Sequence, residues 1–585
     1  YGISADISKF YNNLKLDAKH YHLHLAMWRP NLDPQEEAVI YVLLVHFYGI
    51  RSSGGLCLAA IKQIINFARE QNLESIARVL EAAYVDDCNS SVSTKKEVET
   101  IKNNMPDFMR RHGFPIKGLA CSGEAPPNEL SEDGISVNVA GYRWQPEKDE
   151  LKIVTPKIFI GKKNKGRYAP DTKFFTGEVT LENITNFFDG IVVSLELIIS
   201  KTAELYDPLG FAAPLKVFGN YIARRALIES NGNPLQEVSQ KTRQLFLQYT
   251  YQIKMLDTLT FKRKKHDISP AETDVLILVT DAGYEASILI LYLGHETPEG
   301  MKLEFIFSVG YLNNNSSNIP RHELDIIDRG TIQCEKILEW LTTKIERKIF
   351  ITDSKVALSW LRNPNLRTQP YVQARVHNIC KVFANSEAYY IPSANNPSDL
   401  GTKFNKPANI FLLLDEESKF RNGPPCLQKG LETAVATGEL IPSNQITLNP
   451  EERAMAEREI VKLNQLIILD GDEEDAKTPK PNDAINVETL ECAVPCLIMV
   501  TTQEIEEELL WRSMSVDLAV PILTTTTTGI KLSSKPISSG YRAQKATTSV
   551  KEKVEKVELY SSYILSPLKR DYKTFFHALM VAFKA

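Results

Sequence analysis

Two adjacent aspartates, Asp86 and Asp87, are the residues in this sequence most clearly suited to chemistry. They lie between two short apolar runs, a pattern that predicts an antiparallel hairpin with both carboxylates at its turn. Magnesium prefers oxygen ligands and is usually held by one or two carboxylates together with substrate phosphates. A third carboxylate is therefore expected from a neighbouring strand, and Asp6, at the end of the first predicted strand, is the candidate. Read alone, an Asp-Asp pair is also what an ordinary solvated turn contains.

Four further acidic residues fall at the ends of predicted elements later in the chain. Asp281 ends a strand, Glu323 opens a helix, Asp353 ends another strand and Asp399 lies at the start of a final helix that begins near Ser398. Acids placed in this way can meet at one edge of a sheet and hold two metal ions on a scissile phosphate. Taken singly, Asp353 could cap a helix and Asp399 could end a turn.

The elements around these four acids are predicted in a definite order. Strands are expected at 275–281, 286–293, 303–311, 348–352 and 388–391, and helices at 322–343, 355–361 and 372–383. Three consecutive strands followed by alternating helices and strands indicate a mixed sheet with helices on its faces. Because the four acids are all internal to residues 269–407, this segment is expected to fold by itself.

The first part of the chain is predicted to be an α+β domain. Leu58, Ile61, Ile65 and Ala68 fall on one face of a helix. His20, His22 and His24 alternate along a predicted strand, where they are a weak alternative metal site.

The sequence around the first three aspartates resembles reverse transcriptases. Asp6 matches their first catalytic aspartate, Asp86 and Asp87 match the hairpin pair that follows Tyr84, and Tyr11 matches the aromatic gate against a 2′-hydroxyl. The turn that contains Tyr48, Gly49, Ser52 and Ser53 resembles the family's turn beneath template and nucleotide, although Gly54 stands where proline is usual. Lys117 and Trp144 belong to segments that resemble the primer grip.

Two other segments extend the resemblance to Pao/BEL-type retrotransposon polyproteins. Residues 200–211 resemble a signature in the region catalogued as the Pao retrotransposon peptidase family, and the segments around Glu323, Asp353 and Asp399 resemble ribonuclease H. The resemblance implies Mg²⁺ or Mn²⁺ at Asp6, Asp86 and Asp87 and at the four later acids. It implies an RNA template, a DNA primer, dNTPs and RNA–DNA hybrid as partners, along with a protease and an integrase from the same polyprotein.

Bulk composition adds few constraints. The 585 residues carry a net charge of −5 and no global basic field, so local patches at 162–167 and 262–265 are the candidates for nucleic-acid contacts, with solvated loops as the alternative. Eight scattered cysteines favour a reduced, intracellular chain, which the resemblance would place in a cytoplasmic virus-like particle with a possible nuclear phase. No apolar run is long enough to span a membrane, and no signal peptide precedes the first strand.

These observations predict a multidomain α+β and α/β protein. Residues 1–149 are expected to form a reverse transcriptase palm without its fingers, 150–268 a helical thumb or connection, 269–407 a ribonuclease H-like mixed sheet, and 408–585 a linker and partly disordered region before an integrase. The expected function is RNA-directed DNA polymerase and ribonuclease H, with the polymerase incomplete. The alternatives are a decayed or domesticated copy that binds nucleic acid without catalysis, and an aspartic peptidase, although the sequence has no Asp-Thr-Gly or Asp-Ser-Gly tripeptide.

Overall fold

The computed structural model of the protein describes residues 1–29, 35–50, 52–161, 163–164, 167–264, 274–314, 318–339, 345–362, 368–383, 387–404 and 417–460. These residues all belong to one compact unit. Most of the predicted C-terminal region lies outside the described residues, as do the side chains of the basic patch at 162–167.

The structure is a mixture of sheets and helices. The strands are β1 (Gly2–Ile7), β2 (Leu25–Trp28), β3 (Val39–Val42), β4 (Ala83–Tyr84), β5 (Asp87–Ser91), β6 (Ile116–Cys121), β7 (Val137–Val139), β8 (Tyr142–Gln145), β9 (Glu150–Ile153), β10 (Phe159–Ile160), β11 (Lys163–Asn164), β12 (Arg167–Tyr168), β13 (Lys173–Phe174), β14 (Phe261–Lys262), β15 (Asp274–Ala282), β16 (Ala286–Thr297), β17 (Gly300–Leu312), β18 (Ile345–Thr352), β19 (Ala388–Tyr390) and β20 (Ile441–Pro442). The helices are α1 (Ser53–Glu70), α2 (Glu74–Glu81), α3 (Lys95–Arg111), α4 (Leu181–Phe187), α5 (Leu195–Ala203), α6 (Ala213–Glu229), α7 (Gln240–Met255), α8 (Ile319–Leu338), α9 (Lys355–Arg362), α10 (Pro370–Val382), α11 (Lys419–Asn422), α12 (Leu431–Ala436) and α13 (Pro450–Glu457).

The first sheet has the strand order β4-β5-β1-β6 and packs against α1, α2 and α3. Helix α1 buries Cys57, Ile61, Ile64 and Ile65, which recur at the spacing of one helical face. Leu58, predicted to share that face, is instead exposed. Helix α3 begins at a capping box between Thr94 and Glu97, which satisfies two backbone donors at its first turn.

The segment that contains three alternating histidines differs from its prediction. Residues Ala18–Leu23 form a 3₁₀ helix rather than a strand, so His20, His22 and His24 do not share a strand face. Strands β2 and β3 then form a separate two-stranded hairpin whose large apolar side chains are mostly exposed.

The second sheet, β14-β9-β8-β7, is joined to helices α4–α7 and to the third sheet by one continuous hydrophobic core. Asp207, buried just before α6, accepts hydrogen bonds from the Tyr142 hydroxyl at 2.6 Å and from the backbone N–H of Ala212 at 2.6 Å. Gly210 adopts a φ of +79°, and a Cβ there would lie 1.7 Å from the backbone oxygen of Ser308 in β17. We call Tyr142, Asp207, Gly210 and Ser308 the joint, because they hold β8, α6 and β17 together.

Arg263 follows β14 and ties the second sheet to the first. Its guanidinium forms two hydrogen bonds with Asp149, at 2.7 and 2.8 Å, and a third with the Ser91 hydroxyl at 2.9 Å. The Arg263 side chain is buried. It is therefore not available for a nucleic-acid contact as part of the candidate basic patch at 262–265. A buried, bidentate arginine of this kind fixes geometry at an interface.

The third sheet has the order β17-β16-β15-β18-β19-β20. Strands β15, β18 and β19 are parallel to one another, while β16, β17 and β20 are antiparallel to their neighbours. The order and type of the five predicted strands and three predicted helices match the structure. Residues 275–279 of β15 are all fully buried between helices. A strand that is covered on both faces needs a continuous apolar run, and this is what the sequence has there.

Residues 417–460 differ from the prediction that placed them in a linker and partly disordered region. This segment adds β20 to the edge of the third sheet and places α11, α12 and α13 against it. Arg321 in α8 makes a bidentate ion pair with the buried Glu459, and the indole N–H of Trp360 donates to the carbonyl of Ala456 at 3.2 Å. The third sheet therefore shares its core with segments on both sides of residues 269–407, whereas those residues were expected to fold by themselves.

Within the part of the chain that the structure describes, no helix combines the length and apolarity that a membrane crossing requires.

Candidate active site

Asp281 and Asp353 lie at one edge of the third sheet because their strands are parallel neighbours. Thr280 in β15 is the register partner of Thr352, the last residue of β18. The residue that follows each threonine is an aspartate, so both carboxylates leave the sheet at the same edge.

Asp399 reaches this edge on a 3₁₀ helix, Pro397–Gly401. The fully buried Asn396 fixes the helix by donating from its amide to the carbonyl of Thr280 at 3.0 Å and accepting from the N–H of Ser398 at 3.0 Å. Oxygens of Asp281, Asp353 and Asp399 all lie within 4.8 Å of one another. The structure thus brings together three of the four acids predicted for this site.

Glu323, the fourth predicted acid, lies near the start of α8 but is not a member of that tight group. Its carboxyl interacts with the hydroxyl of Ser354, the residue after Asp353. Burial raises the pKa of Glu323 well above its usual value, and Asp353 and Asp281 raise it further. Glu323 is therefore electrostatically coupled to the other acids and favours its protonated form when no cation is near.

The contacts of the acids fit a hard divalent cation. Burial, followed by the charge of Asp353, raises the pKa of Asp281, and the Thr402 hydroxyl donates to one oxygen of Asp281 at 2.5 Å. The Ser393 hydroxyl donates to Oδ2 of Asp353, whereas Oδ1 of Asp353 is buried and has no hydrogen-bond partner among the described residues. A cation would satisfy this oxygen and relieve the repulsion between carboxylates, and an all-oxygen ligand set suits magnesium or manganese.

The first sheet places Asp6 directly opposite Asp87, because β1 and β5 are antiparallel and these residues are register partners. Asp86 lies in the two-residue turn of the β4–β5 hairpin, and its carbonyl accepts from the N–H of Ile7 at 2.9 Å. Val85, the other turn residue, has a φ of +61°. Positive φ is unfavourable for a β-branched side chain, so this turn is strained, and strain of this kind is concentrated at functional sites.

The charges of these three aspartates interact. Burial raises the pKa of Asp87 to about 6, with smaller contributions from Asp86 and Asp6. Burial also raises the pKa of Asp6, and Lys117, whose Nζ lies 3.8 Å from Asp6, opposes that rise. Lys117 thus provides this set of acids with a basic partner. Among the described residues, these three carboxylates do not form a group as tight as the one in the third sheet.

The other predicted substrate-binding residues of the first part of the chain lie in the β4–β5 hairpin, in the 3₁₀ helix after β1, in the turn before α1 and at the first residue of α1. Tyr84 is the register partner of Asp87 across the hairpin. The rings of Tyr11 and Tyr48 meet edge to face with centroids 4.9 Å apart, and Gly49 follows with a φ of +90°. Ser52 is exposed just before α1, whereas Ser53 is buried.

Trp144 has a different environment from the other predicted binding residues. Its ring is buried in the second sheet, and its indole N–H donates to Asp149 at 2.9 Å. This places the ring in the protein core rather than on an open surface.

Several residues of the two sites were not predicted. Asn396, Ser393 and Thr402 position the acids of the third sheet, and the polar residues on either side of Asp399 were the available signal. The Nδ1 atom of His46 lies 3.1 Å from the buried Ser53 hydroxyl, and no motif in the sequence marked this histidine as a site residue. Lys403 forms an ion pair with Asp399, and Lys419 lies beyond the predicted domain boundary.

Comparison with known protein families gives a match in the middle of the chain. Residues 196–354 match the family described as Pao retrotransposon-like RNaseH-like domain. The matched segment begins in α5 and ends just after Asp353, so it contains Asp207, Gly210 and Ser308 of the joint and three of the four predicted acids. That description names an RNaseH-like domain rather than a peptidase. No curated protein matches the chain. The match, together with the acids that it contains, supports the assignment of the chain as a fragment of a Pao/BEL-type retrotransposon polyprotein with a nucleic-acid-processing segment.

Proposed function

We propose that the third sheet is a metal-dependent ribonuclease H that cleaves the RNA strand of an RNA–DNA hybrid. The observation that supports this most directly is the meeting of Asp281, Asp353 and Asp399 within 4.8 Å at the carboxyl ends of parallel strands. These carboxylates would hold the cations, and Glu323 would complete the acidic site. Bound divalent cations would supply Lewis-acid activation of the phosphodiester and of a water molecule.

In this proposal, neighbouring polar residues hold the carboxylates of the site in fixed orientations. Thr402 and Ser393 each direct one carboxylate by donating a hydroxyl hydrogen bond. Asn396 holds the 3₁₀ helix of Asp399 against β15. This arrangement of fixed charges before substrate arrives is the kind of preorganisation that lowers reaction barriers.

Hydrolysis of a labelled hybrid by the full chain tests the proposal. With millimolar magnesium or manganese, a labelled RNA strand is expected to be cut, while a labelled DNA strand in the same hybrid remains intact. Asp353→Asn should abolish cleavage, and Glu335→Gln, an exposed change on α8, should leave it unchanged. Cleavage by Asp353→Asn at the parent rate would overturn the assignment.

We also propose that the first sheet is the palm of an RNA-directed DNA polymerase. The pairing of Asp6 with Asp87 beside a strained turn favours this second function, because two neighbouring carboxylates and a third at the turn suit metal-assisted nucleotidyl transfer. Tyr11 would exclude the 2′-hydroxyl of a ribonucleotide, and Tyr48 would support its ring.

Incorporation of a labelled dNTP opposite an RNA template tests this second proposal. Any synthesis should disappear in Asp86→Asn, and Tyr11→Ala should admit ribonucleotides. Synthesis that survives Asp86→Asn would contradict the palm assignment, and unchanged sugar discrimination would remove Tyr11 from the proposed role. The alternative of a copy that binds without catalysis predicts metal-independent binding of hybrid and no turnover at either site.

A further inference from the structure

The segment that follows residue 417 brings a lysine to the acidic edge of the third sheet. Lys419 is the first residue of α11, and its ammonium donates to the carbonyl of Ala394 at 2.6 Å. Ala394 lies in the 3₁₀ helix Ser393–Asn395, whose first residue donates to Asp353. Helix α11 also contacts the 3₁₀ helix that contains Asp399. Lys419 is therefore at the rim of the proposed nuclease site.

The backbone on the carboxyl side of Lys419 is held in place. The Tyr292 hydroxyl donates to the carbonyl of Phe420 at 2.7 Å, and the Phe420 ring is buried beside Phe305, with centroids 5.5 Å apart. The guanidinium of Arg421 lies 4.4 Å from the centre of the Phe261 ring and donates to the carbonyl of Thr260 at 2.8 Å. The position of Lys419 is thus set by its neighbours on three strands, β14, β16 and β17, rather than by a loose loop.

The two lysines at this rim have different environments. Lys403 is mostly exposed and forms an ion pair with Asp399, so much of its charge is already matched within the protein. Lys419 is half-buried, and the one acceptor that it contacts among the described residues is a neutral carbonyl. An ammonium has three donors, so Lys419 has donors left for an external oxygen.

A substrate at this edge must bring phosphates close to several carboxylates. Asp281, Asp353, Asp399 and Glu323 are all acidic, and the chain has no excess of positive charge to offset them. A fixed ammonium beside the acids would offset part of this repulsion at one phosphate of the substrate. Burial lowers the pKa of Lys419, because the half-buried ammonium has lost part of its hydration, whereas Asp399 raises it. An anionic partner would compensate for the hydration that the ammonium has lost.

We propose that Lys419 is a substrate-positioning residue that contacts a backbone phosphate of the RNA–DNA hybrid next to the acidic edge. This inference rests on the proposed ribonuclease H function and extends the site beyond residue 407. The chemistry that it recognises is a phosphodiester, since an ammonium on a flexible stem binds phosphate as a point charge without reading bases.

The test is metal-free binding of a labelled hybrid to the full chain across a range of salt concentrations. Lys419→Gln can keep a hydrogen bond to Ala394 but loses the charge, and it should weaken binding about tenfold and reduce the salt slope by about 1. Lys419→Arg should bind like the parent. Lys429→Gln, which removes a lysine paired with Glu439 on the same segment, is the matched control and should change neither quantity.

Cleavage kinetics separate positioning from a structural role. With metal present, Lys419→Gln should raise KM and change kcat little, and the arginine variant should restore KM. A lower kcat with unchanged KM and unchanged salt slope would overturn the proposal, because it would mean that the lysine only holds the Ser393–Asn395 helix in place.

The two proposals fail in different ways. If the parent chain cuts no hybrid but Lys419→Gln still weakens binding with a smaller salt slope, the nuclease assignment falls and the phosphate contact stands. If the parent cuts hybrid and Lys419→Gln binds it as the parent does, the nuclease assignment stands and the role of Lys419 is refuted.

Discussion

Asp281 and Asp353 present carboxylate oxygens within 4.8 Å of each other at the ends of two parallel strands, although both are acids. Such a contact is stable only if the pair keeps a proton or if a cation takes its place. The register of β15 and β18 imposes this proximity, because each aspartate directly follows one of two paired threonines. The sheet therefore creates electrostatic strain that a bound metal ion would relieve.

The first prediction concerns Asp353 and the stability of the metal-free protein. Asp353→Asn removes one charge from a crowded acidic group, so it should not lower the melting temperature without metal. The same change should reduce the stabilisation by millimolar magnesium. A cation stabilises the folded state by mass action, and the variant binds it more weakly because the carboxylate of Asp353 is missing. Differential scanning fluorimetry with chelator and with magnesium measures both effects. A metal-induced shift equal to that of the parent would exclude Asp353 as a ligand.

The second prediction is a pH dependence that arises from Asp281. Burial and Asp353 raise its folded-state pKa above the unfolded value of about 3.9. Folding therefore penalises the ionised form. The penalty is absent below the unfolded pKa and grows as the pH rises toward the raised folded pKa. Without metal, the parent should lose more stability between about pH 5 and about pH 8 than Asp281→Asn does. Parallel stability curves for parent and variant would contradict the raised pKa.

The third prediction isolates the three aspartates of the first sheet. In a chain that already contains Asp353→Asn, manganese should still raise the melting temperature through Asp6, Asp86 and Asp87. Adding Asp86→Asn should shrink that remaining shift, since fewer carboxylates hold the cation. If the double variant responds to manganese as the single variant does, Asp86 is not a ligand and the hairpin is a solvated turn.

The fourth prediction compares two glycines. Gly210→Ala would place a Cβ 1.7 Å from the Ser308 backbone oxygen at a φ of +79°, and we expect a loss of at least about 3 kcal/mol in the free energy of unfolding. Gly55→Ala, in α1 with no neighbour within 4 Å of the new atom, should instead stabilise by about 0.5–1 kcal/mol. Urea denaturation of both variants measures the difference. A harmless Gly210→Ala would show that α6 and β17 are not in close contact.

The fifth prediction concerns residues 417–460. A chain that ends at residue 404 should melt well below one that ends at 460, because it exposes the apolar surfaces that Phe420, Leu427 and Leu440 cover. Each fully buried side chain of this kind contributes about 1.5–3 kcal/mol. Equal melting temperatures for the two chains would mean that the segment is not part of the folded core.

The elements that were predicted well are those with strong local patterns. Strand β15 is a continuous apolar run and α8 has a clear helical period, so their type and order were legible in the sequence. The acids followed from these elements, because Asp281 and Asp353 stand at strand ends. The hairpin that contains Asp86 was predicted from an apolar-polar-apolar sequence, and the structure has it with a two-residue turn.

The features that were missed depend on long-range contacts. Residues 417–460 form short elements such as the two-residue β20 and the four-residue α11, which have too little periodicity to be recognised. Arg263 looked like one of several loop cations, and only its partner Asp149, far away in sequence, shows that it is buried. Trp144 was predicted to contact substrate, but cross-strand packing decides which face of β8 it occupies.

The joint also bears on how such proteins exchange parts. Because Tyr142 and Asp207 connect β8 to α6, and Gly210 lies against Ser308 in β17, the surfaces on either side are matched atom by atom. If recombination joined this sheet to the preceding helices of a different element, Ser308 would pack against residues that do not match its surface. Recombination between related elements should therefore be tolerated best at breakpoints that leave Tyr142, Asp207, Gly210 and Ser308 together in the sequence of one parent.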